Sequence, residues 1–143
     1  ERKSSERAGQ RTPRAVPETG GGGGRTFTHF TDEAGATGIT GKGPLSVGES
    51  SQVGQLSFGK GQNSFLSSGE GRNFVTDLGP NASPRQLEGI GVFGSKQQYA
   101  IQFSEADAFT SGARVIGEVP SRGIYSIPGP CEIIGICTVT RVR

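Results

Sequence analysis

Thr26-Phe27-Thr28-His29-Phe30-Thr31, followed without a break by Asp32-Glu33-Ala34-Gly35-Ala36, is the stretch on which the fold turns. Its first six residues alternate. Phe27, His29 and Thr31 fall on one face and Thr26, Thr28 and Phe30 on the other, which is the period of a strand. Thr31 or Asp32 then supplies an N-cap for a short helix through Glu33, Ala34 and Ala36, weakened by Gly35 and Gly38. A strand passing directly into a capped helix, in a chain about one domain long, opens an α+β fold.

Upstream, residues 1–24 hold Ser, Arg, Pro and Glu with no apolar period and end in the run Gly20 to Gly24, the composition of a flexible tether. The domain therefore spans residues 25–143. Residues 1–25 carry six of the 15 Lys and Arg and three of the 13 Asp and Glu, leaving nine basic and ten acidic residues for the rest. A basic tail on a nearly neutral domain reads first as a soluble linker and second as a hold for an anionic partner such as RNA.

Downstream, glycines at 41, 43, 48, 54, 59, 61, 69 and 71 mark a long Gly-rich loop, either a flap over a ligand or a disordered insertion. Arg72 to Asp77 reads as a short strand, and Ser83-Pro84 as an N-cap and first helical residue. Gln98 to Phe103, Arg114 to Val119 and Cys131 to Val142 read as further strands, the last with Glu132, Ile134, Ile136, Thr138, Thr140 and Val142 on one side. Mostly strands with two short helices make a mainly β member of the α+β class.

Cys131 and Cys137 lie too far apart on one extended strand to bridge, and read as buried thiols compatible with a reducing cytosol. No apolar stretch approaches the ~20 residues that span a membrane, and no signal peptide opens the chain. The lack of Met throughout reads as a piece released from something longer. A multi-histidine metal site is excluded by the single histidine, and zinc is disfavoured by two cysteines on one strand.

Three features carry candidate chemistry. His29 stands in the first strand among hydroxyl residues, a position more often held by a structural hydrogen-bonder than by a catalytic group. Gly69-Glu70-Gly71-Arg72-Asn73-Phe74-Val75-Thr76-Asp77 leads glycines into a strand with an aromatic, permitting close approach and ring stacking. Glu132 follows Pro128-Gly129-Pro130-Cys131 and enters the most apolar strand, where a carboxylate is readily oriented.

In order and position, Thr28-His29-Phe30-Thr31-Asp32, the Gly-x-Gly lead into Asn73-Phe74-Val75-Thr76-Asp77, and Cys131-Glu132-Ile133-Ile134 resemble the three signature strands of ADP-ribosyltransferases. The likeness is to the histidine-tyrosine-acid branch, which includes diphtheria toxin and the poly(ADP-ribose) polymerases. Within it, the chain is most similar to bacterial polymorphic toxin domains at the C-termini of Rhs-type secreted proteins. The resemblance covers residues 25–143. It implies two small packed sheets with NAD as substrate, His29 on the ribose next to nicotinamide, and the Phe30-Thr31 backbone on the carboxamide. Phe74 or Asn73 would stack on nicotinamide in place of the usual tyrosine, and Glu132, or its rival Asp77, would be the catalytic acid.

The resemblance further implies a monomeric toxin delivered into the cytoplasm of a target cell by a secretion system such as type VI, and held harmless by a cognate immunity protein. Its acceptor would be a protein or a structured RNA. Two other readings are an NAD glycohydrolase toxin of the same fold and a non-catalytic glycine-rich β module that binds a partner.

Overall fold

The computed structural model describes residues 24–61 and 71–143; residues 1–23 of the proposed tether, and Gly69 and Glu70 of the Gly-x-Gly lead, lie outside them. The elements run β1 (Thr26–Thr31), α1 (Glu33–Thr40), β2 (Ser50–Phe58), β3 (Arg72–Thr76), α2 (Pro84–Gly89), a 3-10 turn (Gly94–Gln97), β4 (Tyr99–Ser104), α3 (Glu105–Thr110), β5 (Ile116–Val119), a second 3-10 turn (Pro120–Arg122), β6 (Ile124–Pro128) and β7 (Cys131–Arg141). All seven strands join one sheet, in the order β2-β7-β4-β1-β3-β6-β5, with every pair antiparallel. The domain is mainly antiparallel sheet with a few short helices. Among the described residues no helix is long and apolar enough to cross a membrane.

The starts of α1 and α2 follow from their caps. Asp32 accepts the Gly35 N–H on Oδ1 at 2.8 Å. Ser83 and Gln86 form a reciprocal capping box ahead of Pro84, which satisfies two donors that the helix itself leaves open.

The long Gly-rich loop expected from the sequence is corrected. The stretch between Gly41 and Gly71 is not all loop, because β2 occupies residues 50–58. Across the register shift β2 advances from Val53 to Gln55 while β7 advances one residue more, from Cys137 to Ile134, and the buried residues of β2 fall out of the period of two at Val53, Leu56 and Phe58. The face of β7 bearing Glu132, Ile134 and Ile136 is the solvent side, with the two isoleucines 62% and 73% exposed. Its opposite face, with Ile133, Cys137 and Val139, is buried in the core.

In place of the two packed sheets expected, the seven strands form one hydrogen-bonded sheet. Residues 138–141 of β7 pair with β4, whereas residues 131–134 pair only with β2. Past the bulge, the lower β2–β7 ribbon folds across the inner face of the sheet. Leu56, Phe58 and Ile133 thereby join Phe27, Phe103 and Ile127 in the main core. Beyond it, the Asn73 amide donates to the Gly59 carbonyl at 3.0 Å. At Gly129 a Cβ would lie 1.9 Å from that carbonyl, so the crossing requires glycine there. A second core, on the other face, joins Phe30 and Phe74 to Leu87, Ile90 and Val92 of the α2 region.

At the other end of the ribbon, α3 replaces the missing strand partner. Ser111 Oγ accepts the Ile134 N–H at 2.9 Å and Asp107 accepts the Ile136 N–H at 3.2 Å. Gly135 leaves room for the Asp107 carboxylate, which an added Cβ would meet at 2.2 Å. Both cysteines are free thiols. Burial, with Asp107 adding to it, pushes Cys137 up to about 11, and burial also raises Cys131. Neither is poised as a thiolate nucleophile.

Candidate active site

β1 and β3 pair at Thr28↔Thr76, and the recorded pairing ends there. In a continued ladder the next pair on the same edges would be Phe30 and Phe74. His29 instead fills that place: its Nδ1 lies 2.6 Å from the Phe74 carbonyl. A carbonyl only accepts, so Nδ1 carries the proton and Nε2 of the neutral ring is an acceptor.

The imidazole is held neutral. Burial depresses its pKa below the ordinary 6.5, the Phe74 carbonyl pulls the other way, and the nearby Lys96 ammonium depresses it further. Phe58 from the folded-over ribbon packs edge-on against the ring at 5.3 Å. Nε2 makes no hydrogen bond to any described residue, and Thr28 Oγ1 is the sole sealed side-chain polar atom without a partner among them. The side chain is half-buried, and Nε2 is the ring nitrogen left unbonded among the described residues. On the same edge, the period of two turns the N–H and C=O of Phe30 towards the gap that β3 leaves.

The other residues singled out from sequence fall in three places. Phe30, Thr31 and His29 stay together at the end of β1, with Thr31 opposite Tyr99 of β4. Asn73 and Phe74 face opposite ways. Asn73 is tied to Gly59 and Ile127 carbonyls, while Phe74 is buried in the α2-side core with its face covered. Asp77 follows β3 at its far end, near Gly123 and Tyr125.

Glu132 is not brought onto the core face that carries His29. Alternation turns it outward from β7, opposite Ser57, while its neighbours Cys131 and Ile133 point in. Its carboxylate makes no hydrogen bond or ion pair to a described residue. The fold thus gathers the histidine and the Phe30 backbone, and leaves both candidate acids apart from them.

Three contributors were not visible in the sequence reading. Phe58 closes a strand whose bulge hid it. Lys96, in the 3-10 turn, binds Asp32 Oδ2 at 3.2 Å. Glu118 of β5 takes a hydrogen bond from Ser126 at 2.7 Å and an ion pair from Arg72, clasping three adjacent strands. Those two contacts, the Ser126 bond foremost, hold the Glu118 carboxyl below its usual range. No protein-family model, curated protein or solved structure matches the chain.

Proposed function

We propose that the domain cleaves NAD between nicotinamide and ribose and transfers ADP-ribose to a macromolecular acceptor, as a toxin acting in a target cell. The observation that carries this is the single histidine at the end of the β1–β3 pairing. It is neutral, anchored through Nδ1 and unbonded at Nε2 among the described residues. A neutral imidazole acceptor suits a ribose hydroxyl, and a strand residue presenting both N–H and C=O suits a carboxamide.

In the reaction the C–N bond leaves with its electron pair on nicotinamide, the acceptor's nucleophile bonds to the ribose carbon, and the nucleophile's proton is released. Positive charge develops on the sugar, so a fixed carboxylate stabilises the transition state more than the bound substrate. Glu132 is the first candidate from the sequence, although it faces away from the side of the sheet that carries His29, so its part in the reaction rests on the substitution below. Asp77 is the alternative. An immunity protein covering the gap would hold such an activity in check.

Incubation with adenylate-labelled NAD and total lysate tests the reading, with His29→Ala, Glu132→Ala and Asp77→Ala alongside. The expected result is label on protein or RNA that is lost in His29→Ala and in one of the two acid variants. Free ADP-ribose alone would replace transfer by hydrolysis. Intact NAD with the folded domain, and no stabilisation where a ligand at a hundred times its dissociation constant adds about 2.7 kcal/mol, would leave a binding module.

A further inference from the structure

NAD is a linear molecule whose groups follow in the order nicotinamide, ribose, diphosphate, ribose and adenine. On the reading above, Phe30 meets the first and His29 the second. A diphosphate with two negative charges comes next, and in a partly desolvated gap it needs a cation.

Lys96 lies in the 3-10 turn that packs against β1, within electrostatic reach of the His29 ring. Its ammonium is anchored by Asp32, the residue that follows β1. Asp32 is itself fixed, since its other oxygen caps α1. Lysine has three donors. Asp32 is the single hydrogen-bond partner of this ammonium among the described residues, so two donors remain for an anion. The side chain is 59% exposed and can swing towards a ligand while its anchor stays in place.

We propose that Lys96 binds the diphosphate of a dinucleotide and that Asp32 tunes this by competing for the ammonium; the inference rests on the NAD reading. The site has one carboxylate on its cation in the free state, and the ligand's two charges displace or share it. Glu33, the other acid at this end of α1, is paired with Arg141 at 3.5 Å and is not bonded to Lys96.

The test is calorimetric titration of NAD into the wild-type domain, Lys96→Ala, Lys96→Arg and Asp32→Asn. Asparagine keeps a capping oxygen while removing the charge. Lys96→Ala should weaken NAD by about tenfold, the scale of one charge-assisted contact, and Lys96→Arg should recover most of it. Asp32→Asn should tighten NAD several-fold. A bridge that served only to hold the fold would give no such opposite signs. Wild-type binding with Lys96→Ala and Asp32→Asn unchanged would overturn the diphosphate subsite alone, whereas no binding by the folded wild-type domain would overturn the NAD reading and the subsite with it.

Discussion

The two ends of β1 differ in how their polar groups are used. At its start, Arg25 donates twice to Glu105, at 3.1 and 2.8 Å, and once to the Tyr125 hydroxyl at 3.2 Å. Its guanidinium also lies over the Phe27 and Tyr125 rings at 5.1 and 5.4 Å. At its end, His29 uses one ring nitrogen on Phe74 and leaves the other unbonded among the described residues, and Lys96 uses one donor on Asp32. The laced end holds the sheet together. The open end keeps hydrogen-bonding capacity that folding does not consume, which is what the proposed ligand site requires.

That contrast can be broken by substitution. His29→Ala should slow nicotinamide release by about a hundredfold, the scale of losing one preorganised polar group. It should also cost about 1 kcal/mol of stability, the scale of the lost hydrogen bond to the Phe74 carbonyl. A large fall in stability with unchanged turnover per folded molecule would move His29 to the structural side. Glu118→Gln should do the reverse. It loosens the Arg72 and Ser126 contacts and should cost about 1–3 kcal/mol in denaturant unfolding, with NAD turnover intact.

Arg25→Ala is expected to be milder, about 1 kcal/mol, because the guanidinium is close to half exposed and solvent screens its bidentate pair. Turnover should again be unaffected. A loss of NAD cleavage in Arg25→Ala at full folding would erase the distinction between the ends.

The smallest effect sharpens the comparison through pH. The folded pKa of His29 lies below 6.5, so the unfolded chain protonates first as the medium is acidified. The stabilisation from neutral His29 is complete above pH 6.5 and is lost as pH falls from there towards the folded value, at no more than about 1.4 kcal/mol per unit. Melting temperatures at pH 7.5 and 5.5 should therefore differ more in wild type than in His29→Gln. Equal differences would mean that the imidazole is not held neutral.

The sequence made the open end legible and much of the sheet illegible, for physical reasons. β1 and the Asp32 and Ser83 caps stand out because a strict alternation or a capping oxygen is a local signal. β2 is hidden by a bulge that puts Val53 and Leu56 three residues apart. β6 is buried on both faces from Ile124 to Ile127, so it shows no alternation, and α3 is six residues long with one buried residue, Ala108. The buried face of β7 is not legible from apolarity, because Ile134 and Ile136 are apolar yet exposed, while Gly135 and Cys137 face inward. His29 was read from its solitary place in a hydroxyl-rich strand. Lys96 carries no local signal, since its nearness to His29 arises only when the turn before β4 packs back on β1.

The most direct test of the central claim is nuclear magnetic resonance of the imidazole nitrogens, which in a chain with one histidine belong to His29 without ambiguity. The account predicts a proton on Nδ1, a titration midpoint below 6.5, and a shift of Nε2 when NAD is added. A ring protonated on Nε2, or one that NAD leaves unmoved while binding elsewhere, would contradict it.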